Sequence, residues 1–297
     1  MTDARDLLAR YLGQRALLGD DVIYVSGLAR AVPPAAQPPA AEPDPAAEQE
    51  RTSAAEQPKA AAARSDQGGA RGRRAKKAES GGARWKKDLP AIPPRGIEVA
   101  APGTDLFSED PLAEADLDGI AGMVHQCTKC KLCEGRTNAV PGEGPADARL
   151  VVVGEGPGAV EDETGRPFVG RAGELLTEIL AAIELPREQV YICNIVKCRP
   201  PSNRKPQQDE IDACVPYLHR QLAVIKPAVI LAMGGTAAET LLGTRQSLGA
   251  MRNKVHEFRG VPLVVTYHPA ALLRNPHWKK PTWDDVRIAR QLVDQRR

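Results

Sequence analysis

Four of the six cysteines in this 297-residue chain have a spacing that suits metal chemistry. Cys127 and Cys130 form a C-x2-C pair, and Cys198 and Cys214 follow far downstream with fifteen residues between them. Four thiolates drawn from one pair and two singles could hold a cubane iron–sulfur cluster or a zinc ion. Structural zinc usually takes two close pairs, so the uneven spacing favours iron–sulfur. The open alternative makes Cys198 and Cys214 ordinary small core residues. Cys133 and Cys193 do not fit the scheme: Cys193 falls in a strand pattern and reads as buried, and Cys133 reads as a spare or alternative ligand.

A second cluster of chemistry lies in "VVVGEGPGAVEDETGRPFVGRAG", Val151 to Gly173. β-Branched residues run into two glycine-rich stretches that carry several carboxylates and one aromatic ring, Phe168. Unhindered backbone at a strand end suits phosphate, nucleotide or base pockets. It is not a phosphate-binding P-loop, because the Gly-Lys-Ser/Thr ending is absent.

The elements that must position these groups alternate. "RLVVVG", "VYICN", "AVILAMG" and "PLVVTYHP" read as strands. "AGELLTEILAAIEL", "QQDEIDACVPYLHRQLAVI", "TAAETLLG" and a C-terminal segment from about Trp283 read as helices. "LAEADLDGIAGMVHQ" reads as one helix leading into the first cysteines. Short apolar strands separated by helices imply an α/β fold, a three-layer α/β/α sandwich around a parallel sheet of about four strands. Right-handed crossovers then gather "GEGPG", "NIVKCRPP", "GGT" and "HPAALLRNP" at one edge of the sheet, where ligands bind.

Outside that region the chain reads differently. Residues 31–65 hold thirteen Ala and seven Pro, too little apolar surface to offset the entropy of ordering. Arg71 to Lys87 carries eight basic residues against one acid, although the whole chain is only +2. The expected organisation is a short helical segment at 1–30, a disordered linker at 31–110 and a folded domain at 111–297. No run approaches the ~18 apolar residues of a membrane span, and the N-terminus lacks a signal-peptide core. A soluble, cytoplasmic monomer is expected, with cysteines held as ligands or buried thiols rather than disulfides.

The ordered blocks "CTKC", "GEGPGAVEDETGRPFVGRAG", "NIVKCRPPSNRKP", Cys214 and "HPAALLRNP" together resemble the family 4, iron–sulfur type of uracil-DNA glycosylase, over roughly Gln126 to Arg290. The resemblance implies one 4Fe-4S cluster on Cys127, Cys130, Cys198 and Cys214. It also implies excision of uracil from DNA by a monofunctional hydrolase that flips the base out of the helix. Phe168 would stack on that base, and Asn194 would read its O4 and N3–H edge and refuse cytosine. His268 would donate to O2 as charge gathers there, and Glu155 would orient water, with Gly154 and Gly156 giving backbone contacts. Other branches carry Asp where this chain has Gly156, so Glu161 and Asp162 stand as alternatives for the water, or as loop caps that bind Arg166.

For uracil-containing DNA itself, Arg171, Arg199, Arg204 and Lys205 are expected on phosphates. Leu272 or Leu273 would wedge into the vacated stack beside Arg274. The basic linker could add a contact to DNA or to a protein. Two other readings are a superfamily member that binds or cross-links uracil-DNA without turnover, and an iron–sulfur or zinc protein with a nucleotide fold. "GRPFVGRAG" runs on without the basic insertion of the cross-linking branch.

Overall fold

The computed structural model describes residues 84–101 and 111–296. The expected helix within 1–30 and most of the linker lie outside them. Six strands form one sheet: β1 (Arg95–Val99), β2 (Leu150–Gly154), β3 (Tyr191–Asn194), β4 (Val229–Met233), β5 (Val255–Phe258) and β6 (Val261–Thr266). The helices are α1 (Pro111–Glu114), α2 (Leu117–His125), α3 (Leu132–Gly135), α4 (Ala159–Thr164), α5 (Arg171–Ala182), α6 (Gln208–Ile225), α7 (Gly235–Leu242), α8 (Leu248–Met251), α9 (Pro269–Arg274) and α10 (Lys279–Gln295).

The strand order is β1-β5-β6-β4-β2-β3, and every pairing is parallel except β5 with β6. The four parallel strands expected from sequence are its middle and one edge. Alternation along them builds two cores. Val151 and Val153 of β2 face the cluster that includes Leu218 and Leu222 of α6 and Leu241 of α7. Leu150 and Val152 face the opposite cluster, with Leu176 and Leu180 of α5 and Val286 and Leu292 of α10. The result is a three-layer sandwich, as expected.

Three differences have local causes. The single helix expected before the first cysteines is two, because the Asp116 carboxylate accepts from the Gly119 N–H at 2.8 Å and starts α2 afresh. The C-terminal helix begins at Lys279, ahead of Trp283. The expected linker at 31–110 must also end earlier, since residues 84–101 belong to the fold. Trp85 is 2 % exposed within the second core, a burial worth on the order of 3 kcal/mol. Arg287 of α10 donates to the carbonyls of Lys87 (2.9 Å) and Asp88 (2.7 Å). β1 then pairs with β5 at Arg95–Val255 and Val99–Phe258. Proline-rich flanks hid this strand. Among the described residues no helix is long and apolar enough to cross a membrane.

Candidate active site

Parallel pairing brings the carboxyl ends of four strands to one edge. Gly154 is in register with Asn194, and Met233 with Thr266, so the residues that follow converge on a cavity of about 640 Å³. Glu155, Gly156, Phe168, Asn194, His268, Arg204 and Arg274 all line it.

Phe168 is placed by its backbone. It sits in the left-handed region at φ 51°, where a bulky residue needs support from its surroundings. Arg187 Nη1 donates to its carbonyl at 2.8 Å, and Nη2 donates to the carbonyl of Pro167. The guanidinium is itself held by Glu143 at 2.5 Å, and Arg166 pairs with the same carboxylate at 2.9 Å. Burial pushes the Glu143 carboxyl up, but the two arginines outweigh it and hold it below its usual range. Glycine does the rest. A Cβ on Gly173 would stand 1.8 Å from the Phe168 carbonyl oxygen. One on Gly154 would meet both the Phe168 ring and the Asn194 Oδ1 at 2.4 Å. The ring therefore lies over Gly154, beside the amide and 5.4 Å from the His268 ring. Gly173→Ala is expected to displace this loop and raise the KM for substrate by roughly tenfold or more, since the clash is with backbone and cannot be relieved by a rotamer change. Steady-state kinetics beside a thermal melt would check it.

Asn194 is 1 % exposed, and its Oδ1 has no partner. A buried acceptor left in that state costs about 1–3 kcal/mol, so a donor that reached it would be bound favourably. Its backbone carbonyl accepts from the Nζ of Lys197 at 2.8 Å, and Lys197, also 1 % exposed, donates to Gln221 Oε1 at 2.8 Å as well. This lysine braces the strand end.

His268 Nδ1 accepts from the Ala270 N–H at 3.2 Å, which leaves the proton on Nε2. Burial, with the charge of Arg274 second, pulls its pKa down to about 4, so the ring is neutral at pH 7. Glu155 accepts from Thr236 Oγ1 at 2.5 Å and keeps an oxygen at the cavity. Glu161 is a loop clasp: Oε1 accepts from the Val169 and Gly170 N–H groups at 2.9 Å, and Oε2 from Gly158 at 3.1 Å. Asp162 is 3 % exposed and accepts from Thr137 at 3.0 Å. Arg166 binds Glu143 instead of either acid.

The expected DNA contacts divide. Arg171 opens α5 and is exposed, as is Arg274 at the cavity. Leu273 is 41 % exposed, whereas Leu272 is 1 % exposed; the helical turn of α9 points it inward and removes it as a wedge. Arg204 is clamped by Glu210 at 2.6 and 2.8 Å, Lys205 pairs with Glu239 at 2.8 Å, and Arg199 donates to Asn203 at 2.8 Å. All three are tied to protein partners.

Cys127, Cys130, Cys198 and Cys214 line one small cavity, with Cys133 beside them. Arg136 Nη1 donates to Cys198 Sγ at 3.1 Å, and the Lys197 N–H to Cys214 Sγ at 3.2 Å. Burial raises the Cys130, Cys198 and Cys214 thiols, the last to about 12, so thiolates there require a bound cation. Among the described residues no three Cys, His, Asp or Glu side chains converge closely enough for one metal ion. Thiols gathered on one cavity, two of them with N–H donors at sulfur, are of the ligand type that holds zinc or an iron–sulfur cluster. Cys193 lies in the core, wholly buried.

Residues 141–289, half of the chain, match the model of the uracil DNA glycosylase superfamily. A type-4 uracil-DNA glycosylase of Pyrobaculum aerophilum is 47% identical over 169 residues, which cover 54% of this chain and 86% of that protein. One from Thermotoga maritima is 50% identical over 158 residues, 52% of this chain and 82% of that protein. A type-5 enzyme of Thermus thermophilus falls to 32% over 186 residues, 49% and 84% of the two chains. The pocket at the sheet edge is lined wholly by residues within the matched stretch 141–289, and the chain belongs to the uracil DNA glycosylase superfamily, in its type-4 branch.

Proposed function

We propose that the protein excises uracil from DNA by hydrolysing the bond between base and sugar of an extruded nucleotide, leaving an abasic site for base excision repair. The observation that carries this is the unpartnered, buried Oδ1 of Asn194, a residue that lines one cavity with Phe168 and His268. Uracil N3–H supplies the missing donor, and the amide nitrogen is then available to O4. Phe168 stacks on the ring. His268 Nε2–H donates to O2 as the departing base gains charge, without giving up its proton. Glu155, the carboxylate not consumed by the loop, orients water and offsets positive charge on the sugar. Gly154 and Gly156 give backbone contacts, while Arg171 and Arg274 meet phosphates and Leu273 fills the vacated stack.

Cys127, Cys130, Cys198 and Cys214 are proposed to hold one 4Fe-4S cluster, which ties the segment before β2 to the loop after β3. The protein acts as a cytoplasmic monomer, and its basic N-terminal stretch adds a salt-sensitive DNA or protein contact.

Incubation with an oligonucleotide carrying one uracil, followed by alkali, should cleave the strand at that position. An intact strand, or a persistent protein–DNA adduct, would count against the reading. Asn194→Asp should reduce the preference for uracil over cytosine by at least ~10-fold, because a carboxylate only accepts and so repels O4 while attracting the cytosine amino group. Comparison of kcat/KM on paired uracil and cytosine substrates decides it.

A further inference from the structure

Trp278 has no part in the reaction described above, yet it lines the same cavity and is 36 % exposed. Its indole stacks on Tyr267 with centroids 4.6 Å apart and planes within 5° of parallel. The Arg252 guanidinium lies 4.5 Å from the Tyr267 centroid, and two groups that close cannot share one face of a ring, so Arg252 covers the other. Arg252 is fixed in turn by both oxygens of Asp285, at 2.9 and 3.0 Å, and is 8 % exposed. The outer indole is thus the free end of a rigid three-layer stack, and Tyr267 is the immediate neighbour of His268.

The charge of its own segment has one sign, while the acids of the cavity, Glu155 and Glu161, come from the stretch after β2. Arg274, Lys279 and Lys280 are exposed, and no Asp or Glu occurs between Glu257 and Asp284. A flat aromatic face on a cationic segment matches a nucleobase on a phosphate backbone. A base inside a duplex has both faces covered by its neighbours, whereas an unpaired base has a free one.

We infer that Trp278 forms a second subsite, a stacking platform for an unpaired base flanking the extruded uracil. The inference rests on the uracil-excision reading for its position on the substrate.

The test combines two changes on a single-stranded uracil oligonucleotide: Trp278→Leu, which keeps apolar bulk but loses the flat face, and an abasic spacer in place of the flanking base, 5′ or 3′. For one of the two sides, each change alone should raise KM by roughly 5- to 100-fold, the range of one base stacked on an aromatic ring. The two together should do no more than either, and Trp278→Tyr should recover most of the loss. Multiplicative effects on both sides, or an unchanged KM in Trp278→Leu, would overturn the subsite. Titration with a uracil-free single strand reads stacking without excision. It should quench the indole fluorescence of the native protein and leave Trp278→Leu nearly unquenched; equal quenching in both would refute the platform. Quenching that depends on Trp278 in a protein unable to excise uracil would sink the excision reading alone.

Discussion

Alanine at His268 is expected to lower the single-turnover rate of uracil excision by about 10²–10³, the usual loss for one donor to a developing anion in a pocket shielded from water. Substrate affinity should change far less, since a bond donated to O2 would strengthen only as that oxygen gains charge. The pH profile offers a separate check on the protonation state. Burial and Arg274 hold the imidazole near a pKa of about 4, against an ordinary value of 6.5. The native rate should therefore show no histidine inflection between about pH 5 and 8, because the neutral donor is already fully populated there. Arg274→Gln removes a positive charge that disfavours the imidazolium, so the pKa should rise and any acid-limb inflection move to higher pH. An inflection near 6.5 in the native enzyme that disappears in His268→Ala would show the ring exchanging a proton during the reaction, against a neutral hydrogen-bond donor.

Much of the site was legible because strand ends are legible. Once "VVVG", "VYICN" and "PLVVTYHP" read as parallel strands, Gly154, Asn194 and His268 had to meet at one edge, and they do. What escaped was whatever depends on partners distant in sequence. Glu143 and Arg187 fix Phe168 across 44 residues, with no local motif to announce them. Glu161 looked like a candidate for water activation until its oxygens were seen capping backbone N–H groups. The choice between Leu272 and Leu273 turns on the helical phase of a six-residue helix that its sequence does not set. Arg204 read as a phosphate ligand because its partner Glu210 belongs to the next helix, as the residue that also caps it. β1 was concealed because Pro93 and Pro94 precede it, although both stand outside the strand and leave its hydrogen bonds intact.

Cys198→Ser is expected to remove visible absorbance and bound iron and to lower the melting temperature by about 10 °C. The size follows from what a four-thiolate centre would join. Cys127 and Cys198 are 71 residues apart, and a cross-link closing a loop of that length stabilises a fold by roughly 4 kcal/mol through the unfolded chain alone. At roughly 2–4 °C per kcal/mol for a domain of this size, the loss is large enough to measure in one melt. Activity should fall with it, since the Lys197 N–H is bonded to Cys214 while its Nζ holds the carbonyl of Asn194. A loosened cysteine loop thus reaches the Asn194 strand end through a single residue. Cys193→Ser supplies the contrast: its thiol lies in the core away from the cavity, so iron content should stay at the native level even if packing suffers. A Cys198→Ser protein that is iron-free yet melts and turns over like the native one would show that the four thiols are core residues and nothing more.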